Sequence, residues 1–562
     1  KEYRLLSDKA LDDVSTISDF KKTSTRVLNA QDYEYAIKRM AVREYHSPIL
    51  DNMQEYIVGL EEFSKKVTKI KKDTDILDLR KYSIKGVKTI DDYTLEINIK
   101  GKYPQFLYWL SMNFFAPIPW EADLFYQQKG LIQKNITLNT YPIGTGAYYL
   151  AKNNPNQEMI LKVNPNFHSE YFQGEKLPFI KEVVYSLEKE SIPLWNKFLQ
   201  GYYDASGISS EAFDQAVAIS SNGDMGLSNT MKQKGIKMSG SIQPSIFYLA
   251  FNMSDPIVGG YTKEAQKLRQ AISIAQNEEE YISIFMNGRG IPAQSPIPPA
   301  IFGYQKGKDG TNPIIYHWVN GKRVRKSIEY AKKLLAEAGY PNGVSKKTGK
   351  PLVLYYDTTS SGADDRALLD WRRKQFEKLG IQLVIRATDY NRFQDKVRKG
   401  KAQLFSWGWN ADYPDPENFL FLLYGKNAVV NTNGAGINSS NYQNPKFDKL
   451  FEEIKTMSNS PERLEKIKEM IAIIQKDSPW VWGIHPKSLS LYHSWFSNIF
   501  PNAMANNTLK YKKIDGKLRY KKIEEWNKPI LMPMVVFILF LVLISYPLYR
   551  AYQNRQRAVI GE

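Results

Sequence analysis

The chain contains no cysteine, which excludes disulfides, thiolate metal sites and cysteine nucleophiles and leaves the redox compartment open. Histidine is scarce, and the five histidines show no HExxH or other ligand spacing typical of zinc enzymes. No phosphate-binding loop of the form GxxxxGKS or GxxxxGKT is present. The sequence therefore predicts neither a metal site nor a cofactor.

The chain also lacks a long basic segment, although its net charge is +18, from 77 Lys and Arg against 59 Asp and Glu. Such an excess can indicate a nucleic-acid partner or an anionic membrane surface. The basic residues are scattered in singles and short pairs such as Lys65-Lys66, without a nucleic-acid-binding motif. We interpret the charge as a lysine-rich solvated surface and predict no nucleic-acid partner.

What is present is a large chain of ordinary globular composition. Its 562 residues exceed one simple core, so two or three domains are expected. Tyrosine and tryptophan are abundant, at 36 and 11 residues. These residues often line sites that bind organic ligands, and large cores use them as well.

One apolar run near the C-terminus, residues 530–549, carries no formal charge. At about 1.5 Å per residue it spans roughly 30 Å, the hydrocarbon thickness of a bilayer. Aromatic residues flank it, as at the two membrane interfaces: Trp526, Tyr546, Tyr549 and Tyr552. The pattern predicts a transmembrane helix at 530–549, after a juxtamembrane linker at 521–529 and before a basic tail at 550–562. Basic residues lie on both sides, so the positive-inside rule does not fix its orientation.

Strand and helix patterns interleave along the rest of the chain. Apolar periodicity and caps predict helices at 29–40 and 460–479, and one in the stretch 327–343 that Gly339 and Pro341 stop. Alternation predicts strands at 91–100 and 381–390. This interleaving favours α/β lobes over a sandwich or a helical bundle.

The stretch FSWGWNADYPDPENFL, residues 405–420, begins as a strand and ends in a turn. Trp407 and Trp409 point to the same side of the predicted strand. Two prolines then stop the strand, and Asp412 and Asp415 lie on the turn that they fix. An ordinary core strand needs no such carboxylates, so the stretch is a candidate wall of a binding site.

Together these segments resemble the extracellular solute-binding proteins of family 5, the oligopeptide-, dipeptide- and nickel-binding components of bacterial ABC importers. The matching stretches occur in the family's order, over roughly residues 25 to 515. They are NAQDYEYAIKRM, DDYTLEINIK, YPQFLYWL, YPIGTGAYYL, FNMSDP, LRQAISIA, AKKLLAEAGYPNG, GWNADYPDPENFL and NYQNPKFDKLFEE.

The resemblance implies a two-lobed α/β fold of the periplasmic-binding-protein type, which closes over its ligand. It places a first lobe at 1–246, with 485–520 returning to it, and a second lobe at 247–484. Two departures are expected. The family's N-terminal strands, due before the helix at 29–40, are predicted to be missing or much reduced, with part of the first lobe's side of the site. Family members are usually lipid-anchored at the N-terminus or free, whereas the run at 530–549 predicts a built-in anchor.

The resemblance also implies a receptor rather than an enzyme. It would capture short peptides by lobe closure and deliver them to an ABC permease. We expect the large domain on the periplasmic or extracellular face of the cell envelope, because an importer meets its ligand outside. The C-terminal helix would hold it in the inner (cytoplasmic) membrane.

A free peptide is zwitterionic, so burying it requires a carboxylate for its ammonium, a cation for its carboxylate and a strand edge for its backbone. Ser406 and Gly408 would let another backbone approach, and Trp407 or Trp409 offers a flat wall for varied side chains. Asp412 follows on the turn where the strand stops.

In the family, the acid at the position of Asp412 pairs with the peptide's α-ammonium, and the tryptophan three residues earlier, here Trp409, lines a side-chain pocket. The neighbouring Tyr413 is a further candidate ligand-binding residue. Arg366 is a candidate for the ligand's carboxylate, and its alternative is a solvated surface arginine. The alternative for Asp412 is a carboxylate that caps its own turn.

Other functions stay open at this point. Within the receptor class, the ligand could be a nickel chelate, haem or an oligosaccharide. A glycosidase would use Asp412 and Asp415 as paired carboxylates. Both acids lie on one tight turn, from which opposed faces of a sugar are hard to reach. Asp415 lies between Pro414 and Pro416 and is interpreted as a turn former.

Overall fold

The protein is described by a computed structural model that covers residues 6–20, 24–219, 225–359, 364–434, 436–500, 502, 504–505 and 507–559. Its first part is mainly helical and contains one hairpin, β1-β2. Its elements are α1 Asp8–Asp12, α2 Ala30–Met40, α3 Leu50–Tyr56, α4 Leu60–Lys72, β1 Val87–Asp91, β2 Thr94–Ile97, α5 Phe106–Leu110, α6 Trp120–Tyr126 and α7 Lys129–Gln133.

Helix α2 begins after Asn29, where the side chain of Asp32 accepts a hydrogen bond from the Asn29 backbone N–H at 3.1 Å. Tyr35 and Ile37 on its inner face are buried in a core formed by residues 35–115 and joined by Tyr413. Among described residues before α2, the chain contains short helical turns and no strand. The reduction of the family's N-terminal strands stays a prediction.

The next part contains a three-stranded antiparallel sheet of order β3-β4-β7 and several short elements. The elements are β3 Tyr148–Asn154, β4 Glu158–Val163, β5 Tyr171–Phe172, β6 Glu175–Lys176, β7 Glu182–Ser186, α8 Ser191–Leu199, β8 Ala205–Gly207, α9 Phe213–Ala216, β9 Val217–Ile219, β10 Met225–Leu227, α10 Asn229–Gln233 and β11 Lys237–Ile242.

The third part contains the largest hydrophobic core, between helices and a mixed sheet. Its elements are β12 Ser245–Phe251, α11 Lys263–Ala275, α12 Glu278–Phe285, β13 Gly290–Pro292, β14 Tyr316–Val319, β15 Lys322–Arg325, α13 Ile328–Glu337, β16 Val353–Thr359, α14 Asp364–Glu377, β17 Gln382–Thr388, α15 Tyr390–Arg398, β18 Leu404–Asn410, α16 Glu417–Leu420, α17 Pro445–Ile454, α18 Pro461–Asp477 and β19 Trp480–Tyr492.

The main sheet has the strand order β11-β19-β12-β18-β16-β17. The long strand β19 connects its two sides, which are β11 on one side and β12, β18, β16 and β17 on the other. Its residues 480–484 pair with β12, and its residues 487–492 pair with β11. The chain therefore crosses between the two sides at 242–245 and again along β19. The lobe boundaries proposed from the sequence, near 246 and 485, lie close to these crossings and stay a prediction.

The C-terminal part contains β20 Phe496–Ser497, β21 Lys513–Ile514, α19 Gly516–Trp526 and α20 Met532–Val559. Helix α20 is long and apolar enough to cross a membrane, and its most apolar window is exposed throughout. It continues through residues 550–559, which the sequence analysis assigned to a basic tail. The expected linker at 521–529 is also helical as far as Trp526, so only residues 527–531 separate the two helices.

Candidate binding site at the end of strand β18

Strand β18 forms as its alternating pattern predicts, and one of its edges is largely unpaired. It pairs with β12 along its length, from Leu404 to Asn410. On the other edge it pairs with β16 only at Leu404 and Phe405. In the described sheet, residues 406–410 therefore present a backbone edge to which no strand pairs. Such an edge can take an additional extended chain.

The two small residues of β18 are already in contact with side chains of the protein. A Cβ at Gly408 would lie 2.5 Å from the ring of Phe247, which occupies the space that the glycine leaves. The hydroxyl of Ser406 is hydrogen-bonded to that of Tyr356 at 2.7 Å. The expectation that these two positions admit a ligand backbone over the face of the strand therefore needs correction, because Phe247 and Tyr356 lie there.

The two tryptophans of β18 are half-buried and keep part of their rings accessible. Trp409 packs edge-to-face on Phe421, with ring centroids 5.3 Å apart, and its indole N–H donates to Asn418 Oδ1 at 3.2 Å. Trp407 packs against Phe393 of α15, with centroids 5.4 Å apart. The structure thus fixes both rings on one side and leaves a partly exposed aromatic wall beside the turn.

Asp412 occupies the turn and is held by Asn418. The Asp412 backbone N–H donates to Asn418 Oδ1 at 2.8 Å, and Asn418 Nδ2 donates to Asp412 Oδ2 at 3.2 Å. The preceding Ala411 N–H donates to the carbonyl of Pro244 at 2.8 Å, at the crossing between the two sides of the sheet. A side chain from the next helix, rather than the Asp412 carboxylate itself, therefore ties the turn together.

The Asp412 carboxylate has no cationic partner among the described residues. Within the described part of the chain it accepts one hydrogen bond, from Asn418, and forms no ion pair. The residue is exposed to solvent, yet the protein around it removes enough water to raise the pKa of its carboxyl, which the Asn418 hydrogen bond partly offsets. Both observations fit a carboxylate in an open recess, where a cationic group would be stabilised.

Tyr413 points away from this recess. It is 1% exposed and packs into the core of residues 35–115, between Tyr108 and Trp109 at centroid distances of 5.5 Å and 5.3 Å. Its hydroxyl donates to Glu417. The sequence interpretation of Tyr413 as a ligand-binding residue therefore does not fit its position: this ring anchors the turn and has almost no surface for a ligand.

Asp415 forms a buried ion pair that the sequence analysis missed. Arg463 of α18 donates to both of its carboxylate oxygens, at 2.8 Å and 2.7 Å. Asp415 Oδ1 also accepts the backbone N–H of Glu417 at 2.9 Å, so it does form a turn, as predicted. Because this carboxylate is fully engaged, it offers little support for a pair of catalytic acids with Asp412.

Glu417 lies behind the turn in a site closed to water. Tyr103 donates to its carboxylate at 3.2 Å and Tyr413 donates to it from the other side. Trp109 in turn donates to the Tyr103 hydroxyl at 2.8 Å. Burial raises the pKa of Glu417 to about 7, with the nearby Asp415 adding to the shift. Tyr413 is only four residues from Glu417, but no local sequence signal marks the whole cluster, because Tyr103 lies 314 residues away.

Arg366 lies in the first turns of α14 and is exposed. Among described residues it forms no hydrogen bond or ion pair, and nothing links it to the turn at Asp412. Its role in binding a carboxylate stays a prediction.

The described residues contain no group of three or more side chains that could hold a metal ion. Two surface depressions, with volumes of about 430 Å³ and 350 Å³, lie around Tyr148 and Tyr93, away from Asp412. Among the described residues, the candidate site is therefore defined by a carboxylate without an ion pair, an aromatic wall and a free strand edge.

Comparison with known proteins places this chain in a family. The model of the bacterial extracellular solute-binding proteins, family 5, middle region, matches residues 24–431, so the chain belongs to that family. Heme-binding protein A of Haemophilus influenzae is 25% identical over 72% of this chain and 64% of its own length. The chain thus spans just under two thirds of that relative. The periplasmic oligopeptide-binding protein OppA of Escherichia coli is 23% identical over 87% of this chain and 79% of its own length.

Solved structures show the same fold. The periplasmic binding protein DppA from Helicobacter pylori, in complex with the peptide STSA, has a TM-score of 0.66 and 21% identity, over 89% of this chain and 84% of that one. NikZ from Campylobacter jejuni, in complex with Ni(L-His), has a TM-score of 0.59 and 18% identity, over 84% and 80%. The two-lobed α/β fold expected from the sequence is confirmed.

Proposed function

We propose that this protein is the solute-binding component of an ABC importer and that it binds short peptides, with Asp412 receiving the α-ammonium of the ligand. The observation that carries this proposal is the Asp412 carboxylate, which forms no ion pair with any described residue and whose pKa is raised by the surrounding protein. A ligand ammonium would supply the missing charge.

Two neighbouring features support a peptide rather than an isolated amine. The free edge of β18 at residues 406–410 offers backbone donors and acceptors to an extended chain. Trp407 and Trp409 offer flat, partly exposed surfaces that tolerate varied side chains. Since Asp415 is already paired with Arg463, we infer a binding role rather than a catalytic one.

The test is Asp412→Asn, which keeps the shape and the contact with Asn418 but removes the charge. A micromolar complex is worth about 8 kcal/mol. Removing one partner of a buried charge pair commonly costs about 3 to 5 kcal/mol. We expect calorimetry to show peptide binding weakened about a hundredfold or more, near the lower end of that range, with little change in the melting temperature of the empty protein.

Two controls accompany this variant. Asp395→Asn removes an exposed carboxylate of α15 that is paired with Lys399, and it should bind peptide as the parent does. An N-acetylated peptide has no ammonium, so it should bind the parent poorly. It should bind Asp412→Asn no more weakly than it binds the parent. Equal binding of free peptide by the parent and Asp412→Asn would show that Asp412 only shapes the turn.

A haem or a nickel chelate is the second candidate ligand, because a heme-binding protein and a Ni(L-His)-bound protein are among the relatives. Native mass spectrometry of the purified protein would separate these possibilities by mass. A Soret band that co-purifies with the protein, and survives in Asp412→Asn, would favour haem over a peptide.

We propose further that helix α20 anchors the protein in a membrane, with the large domain outside the cytoplasm. Its length and exposed apolar surface support this. The full chain should float with lipid vesicles and need detergent for extraction, and protease outside intact cells should reach the large domain. Extraction by buffer alone, or full protection from that protease, would contradict the anchor or its orientation respectively.

A further inference from the structure

Helix α19 is packed against the body of the protein (residues 24–500) immediately before α20. The ring of Trp526 lies 5.5 Å from Trp495 and 5.4 Å from His493, centroid to centroid. The Lys234 ammonium lies 4.5 Å from the centre of the Trp526 ring, on the α10 side. Trp526, which the sequence analysis placed in a membrane-interface belt, is thus half-buried in an aromatic cluster of the body.

Polar contacts and one glycine fix the rest of this helix. Arg519 Nε donates to Asp204 Oδ1 at 2.7 Å. Gly201 has a φ of +84°, and a Cβ there would lie 2.9 Å from Ile523, so the absence of a side chain lets α19 approach. The Asn527 amide donates at 2.9 Å to a backbone carbonyl just before Gly201. The helix is therefore held along its length, up to its last residue.

The connection from α19 to the apolar helix is short. Residues 527–531 are the only ones between Trp526 and Met532. Five residues span at most about 17 Å when fully extended, so the start of α20 cannot move far from the body. A domain on such a connection has little of the freedom that a long flexible tether gives.

The outer face of α19 has the composition of a membrane-contacting surface. Tyr520 is 73% exposed, and Lys517, Lys521 and Glu524 are exposed on the same side of the helix. Residues 516–531 carry five basic and two acidic side chains, of which Arg519 pairs with Asp204 and Lys522 with Glu525. The remaining charged groups are Lys517, Lys521 and Lys528 against Glu524, an excess of two positive charges. Lysines and tyrosines beside the start of an apolar helix are suited to anionic lipid headgroups.

We propose that α19 is a strut: its inner face locks onto the body and its outer face lies on the headgroups of an anionic bilayer. The body, with the Asp412 recess, is then held at a fixed height and orientation above the membrane. This inference rests on the proposed anchor α20 and is independent of the ligand that the protein binds.

The absence of cysteine makes a direct test possible, because introduced cysteines are the only sites that a thiol label can modify. The full chain would carry nitroxides at Lys232→Cys on α10 and Met532→Cys at the start of α20, in nanodiscs containing phosphatidylglycerol. Pulsed electron resonance should give one narrow distance peak. The double variant Trp526→Ala, Arg519→Ala should give a broad distance distribution instead of that peak. The milder single variant Arg519→Gln should broaden the peak partly.

Tyr520→Ala is the matched control, since this side chain lies on the same helix and points away from the body; the peak should stay narrow. A fluorophore at Lys521→Cys should be quenched by headgroup-labelled lipid, and one at Lys232→Cys much less. A broad peak in the parent, a narrow peak in the double variant, or no quenching at 521 would overturn the strut. Failure of the parent to enter nanodiscs would overturn the anchor and the strut together.

Discussion

Glu417 lies one turn behind Asp412, and it shows how closely the candidate site depends on buried polar groups. Its carboxylate receives hydrogen bonds from Tyr103 and Tyr413. Tyr413 is the residue directly after Asp412, so this network fixes the backbone on which the candidate ligand carboxylate is carried. Asp415 and Arg463 fix the same turn from the other side through their two-point ion pair.

The raised pKa of Glu417 predicts a pH-dependent stability. A carboxyl with a pKa near 4.5 when unfolded and about 7 when folded keeps its proton only in the folded state between these values. It therefore favours folding fully below about pH 4.5, and this contribution is lost as pH rises through about 7, a change of about 3 kcal/mol. Asp415 and the Arg463 guanidinium face the same carboxyl and act in opposite directions.

We expect Glu417→Gln to remove this dependence. In urea unfolding from pH 5 to pH 8, the free energy of unfolding of the variant should rise relative to the parent as pH increases. The matched control is Glu329→Gln on the exposed side of α13, where the carboxylate is not buried. If the free energies of unfolding of Glu417→Gln and the parent differ by the same amount at pH 5 and at pH 8, Glu417 is not the source of the pH dependence.

At the scale of elements, β18 is shaped by its neighbours as much as by its own alternation. Gly408 faces Phe247 of β12, and the ring of Phe247 lies where a side chain at position 408 would be. Phe247 is itself 45% exposed. The glycine therefore serves the packing between two paired strands, β18 and β12.

We predict that Gly408→Ala destabilises the protein, because its Cβ would lie 2.5 Å from the Phe247 ring. Overpacking of this kind typically costs about 1 to 3 kcal/mol. In the background of Phe247→Ala the same substitution should cost much less, since the ring is gone. Thermal unfolding of the four proteins of this cycle measures the coupling, and equal costs in both backgrounds would show that the Phe247 contact is irrelevant.

At the scale of the whole molecule, the segment before the main sheet is joined to residues of the proposed second lobe. Lys455, directly after α17, pairs with Glu55 at 2.7 Å, and Tyr103 donates to Glu417. These contacts link parts of the chain that the sequence analysis assigned to different lobes. In an opening motion, either these contacts separate or this segment moves with the second lobe.

We expect a bound peptide to close the lobes and reduce the radius of gyration. A shift from mostly open to mostly closed requires about 5.5 kcal/mol of differential affinity, which a ligand held by both lobes can supply. Neutron scattering of the full chain in contrast-matched detergent, with and without peptide, measures this change. Asp412→Asn at the same peptide concentration is the control. The same radius at saturation would count against closure.

The sequence by itself determined the local structure. Strand β18 follows from alternation, and α18 begins where Ser460 and Pro461 predict, with the Ser460 hydroxyl accepting from the Arg463 N–H at 3.2 Å. The apolar run predicted α20. Residue order along the chain also carried the family resemblance, and with it the fold. These features were predictable because periodicity, caps and composition act within one element.

Only the tertiary structure decided where the buried polar and aromatic groups go. Arg463 lies 48 residues from Asp415 and is fully buried on the inner face of α18. Tyr103 lies 314 residues from Glu417. Trp526 turns toward the body rather than toward lipid. The free energy of burying such groups depends on partners from other elements, which local sequence does not specify. The same residue types could therefore have lain on the surface, in a turn or in a binding site.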